Sequence, residues 1–442
     1  MSAPLDRLLE RDRRVVWHPF TQAATAGEPL QVIGADGPDL VLADGQRVLD
    51  GISSWWTVLH GHGEPRLVRA IAEQAARLDH VLFAGATHPG AVELAERLVA
   101  RAPSGLSRVF FSDDGSTAVE VALKLAFQFF ANLGRPEKRG FAAFVHGYHG
   151  DTVGAMSVGD PADFSFPFVP ILIPVERLPT APCEGWPLTA QDGAAVEAAL
   201  AALAALLERK GHELAAVILE PMVQGAGGMV MHSPAFLRGV AELCRAHDVL
   251  FVADEVMTGF GRTGRLFAVE HAGVSPDLLC LAKGLTGGVL PLAATLASER
   301  IFEAFLSRDA RRTFLHGHSF TANPIACAAA LASLELFEER GVLERVAAIE
   351  ALHARCLGEL AAHPRVRSVR WLGAIGALEL VGDDASYFGS RDSERIARRL
   401  LAAGVLVRPL GPVLYLLAPL ATPLERLDRA WALIFEALDA EA

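Results

Sequence analysis

Through the middle of the chain, short apolar runs alternate with stretches in which apolar residues recur every three or four positions. The runs at 108–111, 141–145, 216–219, 249–253, 278–282 and 293–297 predict strands. Between them, residues 117–130 put Val121, Leu125 and Phe129 on one helical face, and Pro234 to Ala246 reads as a second helix opened by its proline. Strands that are apolar throughout need both faces covered. The pattern therefore predicts an α/β domain with a mostly parallel sheet between layers of helix.

The two ends of the chain read differently. Residues 367–371 and 375–381 predict strands, 393–403 an amphipathic helix closed by Gly404, 405–407 and 413–417 two more strands, and 424–438 a final amphipathic helix. That order suits a smaller α+β domain. The first 60 residues hold short strand signals at Val32-Ile33 and 40–42, with turns at Asp36-Gly37 and Asp44-Gly45. They form too small a set to stand alone. The expected division is an N-terminal segment, 1–60, packing with the small domain; a large domain, 61–325; and a C-terminal small domain, 326–442. Residues 164–188, rich in proline, read as a long loop, and 198–207 as a surface helix ending at Glu208-Arg209-Lys210.

Composition narrows the function classes. The 442 residues carry a net charge of −12, from 40 basic and 52 acidic side chains. This argues against nucleic-acid binding as the main activity, though not against a local anion site. No apolar run is long enough for a bilayer, which needs about 20 residues, so no membrane association is expected. The start of the chain lacks the apolar core of a secretory signal. Five scattered cysteines without a Cys-x-x-Cys pair suit neither a disulfide framework nor a zinc ribbon, and a cytoplasmic location is expected. His18, His60, His62, His149, His316 and His318 show no metal-ligand spacing, so no metal is expected.

The chain has only four lysines, so each can be weighed. Lys124, Lys138 and Lys210 sit in helical or polar contexts that suit solvated surface charges. Lys283 instead follows the apolar run 278–282 and precedes Gly284-Leu-Thr-Gly-Gly288. A lysine at the carboxyl end of a buried strand is costly unless paired or neutralised, and that edge is where open α/β sheets bind ligands. It is either an ion-paired structural lysine or a desolvated Schiff-base former. Asp254 ends the run 249–253, 29 residues earlier. A lysine for an aldehyde and a carboxylate for a ring nitrogen are what pyridoxal phosphate requires. Ser112-Asp-Asp-Gly-Ser-Thr117 opens a helix after a strand. It is either an ordinary N-cap or a phosphate site at Gly115 and Ser116. The loop Gly147-Tyr-His-Gly-Asp-Thr152 offers Tyr148 for stacking on a flat ring.

Taken together, these segments resemble the class III pyridoxal-phosphate aminotransferases of fold type I over nearly the whole chain. The most specific stretches are Leu219-Glu-Pro-Met-Val-Gln-Gly225, Ala253-Asp-Glu-Val-Met-Thr-Gly-Phe-Gly-Arg-Thr-Gly264 and Ala282-Lys-Gly-Leu-Thr-Gly-Gly288. The resemblance implies pyridoxal 5'-phosphate as cofactor, Lys283 as its covalent partner and proton carrier, and Asp254 at the pyridine nitrogen. It also implies Gly115 and Ser116 at the phosphate and Tyr148 on the ring. Gly317, His318 and Ser319 resemble a loop that reaches the phosphate and substrate from the other subunit of a homodimer with shared active sites.

Further markers resemble a subgroup that aminates 8-amino-7-oxononanoate in biotin biosynthesis. They are Trp17-His-Pro-Phe-Thr21, Gly51-Ile-Ser-Ser-Trp-Trp56, Gly147-Tyr-His-Gly-Asp-Thr152, His316-Gly-His-Ser-Phe320 and Arg408-Pro-Leu-Gly411. By this resemblance Phe20, Trp55, Tyr148, Asp151, Lys283, Gly317 and Arg408 line the substrate site, with Arg408 on the substrate carboxylate. Phe20 stands where members that use S-adenosylmethionine usually carry tyrosine. With Gly317-His-Ser319 it leans toward members that use lysine, whereas Trp55-Trp56 leans the other way. The expectation is S-adenosylmethionine as donor, with lysine, or another ω-aminotransferase activity on ornithine or 4-aminobutyrate, as alternatives. A nicotinamide-dependent dehydrogenase is disfavoured by the missing glycine fingerprint, and a non-catalytic binding protein by the intact Lys283 and Asp254.

Overall fold

The computed structural model describes residues 7–162, 164–183, 190–382 and 390–440. At its centre is a sheet of seven strands: β1 (Leu106–Ser112), β2 (Gly140–Phe144), β3 (Glu176–Leu178), β4 (Leu214–Leu219), β5 (Leu250–Asp254), β6 (Leu278–Leu281) and β7 (Ala293–Ser298). The spatial order is β1-β7-β6-β5-β4-β2-β3. The pairs β5–β6, β5–β4, β4–β2 and β2–β3 are parallel, and β7 runs antiparallel to both of its neighbours. Strands β4, β5 and β6 are buried at every position, which is why they read as unbroken apolar runs. The carboxyl ends of β1, β2, β4, β5 and β6 lie along one edge of the sheet, and their following loops carry the chemistry.

The helix after β1, α1 (Gly115–Asn132), starts sharply because Asp114 caps it. The Asp114 carboxylate accepts the Thr117 N–H at 2.9 Å, while the Thr117 hydroxyl accepts the Asp114 N–H at 2.9 Å. The inner face of α1, including Val121, Leu125 and Phe129, packs beneath β4 to β7. Helix Pro234–Ala246 has the predicted bounds, with Ser233 as its cap.

Two smaller sheets flank this body. Val366–Leu372, Ile375–Leu380 and Val413–Leu416 form an antiparallel set under the helices Val342–Leu360, Arg391–Ala402 and Leu424–Ala440. Near the start of the chain, Val32–Asp36, Asp39–Leu42 and Arg47–Asp50 form a meander that gains a fourth, parallel strand from Val405–Leu406. Among the described residues no helix is long and apolar enough to cross a membrane.

Two expectations are corrected. The segment 164–188 is not all loop: 176–178 is the edge strand β3, and 184–188 lie outside the described residues. Lys138 is not a solvated charge. Its side chain is buried, donates to the Gly211 carbonyl at 2.6 Å and lies over the Phe130 ring at 4.8 Å. Burial lowers its pKa to about 8.

Candidate active site

The loops at the carboxyl edge enclose a cavity of about 670 Å³, whose wall includes Gly115, Ser116, Tyr148, Asp254 and Lys283. Five residues singled out from separate parts of the sequence therefore share one space. Lys283 leaves β6 with φ +43°, a left-handed conformation unusual for a residue with a side chain. Its Nζ stands 5.0 Å from the centre of the Trp56 ring. Burial lowers the Lys283 pKa, against the opposing pull of Asp254 and Glu220. A buried amine whose charged form is disfavoured is the kind of group that can serve as a nucleophile.

Asp254 is fixed on both oxygens. Oδ2 meets His149 Nδ1 at 2.7 Å, and Oδ1 accepts the Val256 N–H at 3.0 Å. His149, which shows no metal-ligand spacing in the sequence, is the buried group that orients this carboxylate. The positive end of the α1 dipole opens onto the same cavity through Gly115 and Ser116. The space is kept by absent side chains. A Cβ on Gly115 would run into Val256, and one on Gly150, at φ +119°, would run into Ser116. The Ser116 hydroxyl lies 2.8 Å from that of Thr152 and accepts the Thr152 N–H at 3.0 Å. Tyr148 is hydrogen-bonded to Asp151, and burial together with that acid pushes the phenol pKa upward.

A second compartment of about 290 Å³ adjoins the first and shares Lys283 and Tyr148 with it. Its outer wall is a chain of rings in edge contact: Trp55 to Phe20 at 5.6 Å, Phe20 to Phe164 at 5.8 Å, and Phe164 to Tyr148 at 5.7 Å. The Arg408 guanidinium lies over Trp55, 5.0 Å from its ring centre. Asp151 lines this compartment too.

Both tryptophans are delivered by a strained turn. Ser53, Ser54, Trp55 and Trp56 all have positive φ, between 46° and 69°. A left-handed turn costs roughly 1–2 kcal/mol for each residue with a side chain, so it needs support. Arg262, buried, supplies it, donating to the carbonyls of Trp56 and Val58 at 3.1 and 3.0 Å and to Ala418 at 3.3 Å. Ser53 donates to the Leu417 carbonyl at 2.6 Å, and Trp56 Nε1 donates to the Tyr415 hydroxyl at 3.0 Å.

The loop 317–319 stands apart. His318 Nδ1 meets Asp113 Oδ2 at 2.9 Å at the rim, while Gly317 and Ser319 are exposed. Sequence reasoning missed Trp56, Phe164 and Glu220 as wall residues. For Glu220 the signal was present, because it follows an apolar strand as Asp254 does.

Residues 22–438 match the family model described as "Aminotransferase class-III". The chain is a class III aminotransferase. As a member of this family it uses pyridoxal phosphate, and the site suits that group. An amine, a buried carboxylate oriented by histidine and a helix N-terminus walled by glycines surround one cavity. The aminotransferase is 49% identical to adenosylmethionine-8-amino-7-oxononanoate aminotransferase of Synechococcus elongatus, across 96% of this chain and 98% of the relative. The crystal structure of the Methanocaldococcus jannaschii protein of the same name superposes with a TM-score of 0.91 and 34% identity, covering 98% of this chain and 99% of that one. An amine transaminase from an uncultivated Pseudomonas species, solved in its PLP-bound form, is also similar. It has a TM-score of 0.87, 34% identity, and coverage of 96% of this chain and 98% of the other.

Proposed function

We propose that this aminotransferase transfers an amino group to 8-amino-7-oxononanoate, giving 7,8-diaminononanoate for biotin synthesis, with S-adenosylmethionine as donor. The names of the relatives support the acceptor. The observation that carries the reading is the Arg408–Trp55 pair in the compartment that also contains Lys283. A guanidinium fork suits a carboxylate, and the aromatic wall suits the aliphatic chain between that carboxylate and the reacting carbonyl.

Bound pyridoxal phosphate supplies the aldehyde that takes up the amino group and a ring that accepts electrons from the substrate carbon. Lys283 Nζ would hold the cofactor through its aldehyde and carry the proton. Asp254, oriented by His149, would keep the pyridine nitrogen protonated. Gly115 and Ser116 would bind the phosphate, and Tyr148 would pack against the ring. Phe20, Trp55, Asp151 and Arg408 orient the substrate. Lysine as donor is the second reading, favoured by Phe20, whose ring gives the wall no hydroxyl.

The same reading makes the enzyme a cytoplasmic homodimer, with Gly317, His318 and Ser319 reaching the other subunit's phosphate and substrate. The exposure of Trp17, Leu315 and Phe320 supports an interface. Separate half-reactions with S-adenosylmethionine, lysine and ornithine test the donor. Conversion of the bound cofactor by ornithine alone would refute both donors.

A further inference from the structure

Glu220 directly follows β4 and is 4% exposed. Oε1 accepts the Tyr148 N–H at 2.9 Å, and Oε2 accepts the Gly225 N–H at 2.9 Å. The two donors belong to different parts of the wall. Tyr148 sits in the loop after β2, which also carries His149. Gly225 follows Val223–Gln224, one arm of a hairpin paired with Val230–Met231. Gly225 is packed so closely that a Cβ there would stand 2.8 Å from Met257 and 3.3 Å from the Trp56 ring. The carboxylate thus ties the loop bearing the ring cover to the hairpin behind Trp56.

Its charge has neighbours on every side. Glu220 lines the same cavity as His149 and Tyr148 from the loop after β2, Asp254 from the end of β5 and Lys283 from the turn after β6, and it interacts electrostatically with each of them. From just past the Val230–Met231 arm of the hairpin, His232 Nε2 lies 3.0 Å from the Glu220 carbonyl. Burial raises the Glu220 pKa to about 7, and the two backbone donors and His149 favour its ionised form.

We propose that Glu220 is a positioning residue for Tyr148 and Lys283: its carboxylate fixes the Tyr148 loop to the Gly225 hairpin and, beside Asp254, supplies a second negative charge that stabilises the Lys283 ammonium. The inference rests on Lys283 being the cofactor lysine. Glu220 touches no reacting atom; it acts through the two residues it holds.

The test is the rate at which the full chain, stripped of cofactor, captures added pyridoxal phosphate across a range of pH. Capture needs the neutral amine, so the pH of half-maximal rate reports the Lys283 ionisation. Glu220→Gln keeps the shape and removes the anion. The half-maximal pH should fall by about one unit, since losing an opposite charge disfavours the ammonium. The visible circular dichroism of the bound cofactor should weaken as Tyr148 shifts. Asp160→Asn is the control. Asp160 accepts the His146 N–H at 2.7 Å and so anchors the same loop, but it is not among the charges acting on Lys283. This variant should leave the half-maximal pH unchanged. Glu220→Asp, which keeps the charge on a shorter arm, should hold the half-maximal pH and alter only the dichroism. An unchanged half-maximal pH in Glu220→Gln, an equal shift in Asp160→Asn, or a shift in Glu220→Asp would overturn the proposal. A Lys283→Ala chain that captured cofactor covalently with wild-type kinetics would instead refute the assignment of Lys283.

Discussion

His149 Nδ1 stands 2.7 Å from Asp254 Oδ2, with both side chains buried at the edge of the central sheet. The contact fixes the carboxylate, while the Val256 N–H holds its other oxygen. A neutral amide at position 254 cannot keep a pyridine nitrogen protonated. Asp254→Asn should therefore keep the fold and cofactor content and lose about 10²–10³-fold in kcat. Near wild-type turnover would remove Asp254 from this role.

Lys283→Ala should abolish turnover. The helix N-terminus and Asp254 remain, so the variant should still bind pyridoxal phosphate non-covalently. Borohydride reduction of the wild-type holoenzyme followed by peptide mapping should find the label on Lys283. A label on Lys124, Lys138 or Lys210 would contradict the assignment.

Arg408→Ala should raise the Michaelis constant for 8-amino-7-oxononanoate by the equivalent of about 1.5–3 kcal/mol, the loss of one charge-assisted contact. The chemical step should change less, because Arg408 lies at the Trp55 wall. An unaltered constant would exclude Arg408 from carboxylate binding.

Arg262 donates to backbone carbonyls around the left-handed turn 53–56. Arg262→Met fills much of the volume and leaves those carbonyls unsatisfied in the core. It should cost about 2–4 kcal/mol of stability in denaturant unfolding. It should also raise substrate Michaelis constants as Trp55 loses its support. A loss below about 0.5 kcal/mol would show that the turn holds itself.

Three buried histidines make stability depend on acid. Burial lowers His60, His232 and His353 from 6.5 to about 4. Their folded values lie below the unfolded one, so the unfolded chain binds more protons between these limits. Stability should be fully present above about pH 6.5 and fall as the pH drops toward 4. Denaturant midpoints across that window check the sign. His232→Asn and His353→Asn variants should show a shallower loss.

How much of this was legible depended on whether the signal was local. The interior strands were, because burial on both faces leaves no polar position in β4 or β6, nor in β5 before its terminal Asp254. Strand β3 was not, since Glu176-Arg177-Leu178 is a three-residue edge with little burial to record. Lys283 and Asp254 stood out as charges at the ends of apolar runs. Lys138 misled because the groups that receive its side chain, the Gly211 carbonyl and the Phe130 ring, are supplied by other elements. The left-handed turn was invisible, because no glycine marks residues 53–56 and its support comes from Arg262 and the 417–418 segment. The aromatic wall likewise assembles Phe20, Trp55, Tyr148 and Phe164 from four separate stretches.

The most direct test of the proposed activity is a single-turnover half-reaction. The purified chain is loaded with pyridoxamine phosphate and mixed with 8-amino-7-oxononanoate alone. The account predicts that the visible absorbance of pyridoxal phosphate returns and that one equivalent of 7,8-diaminononanoate forms per site. No return of absorbance with this acceptor, in a preparation that converts another keto acid or aldehyde, would contradict it.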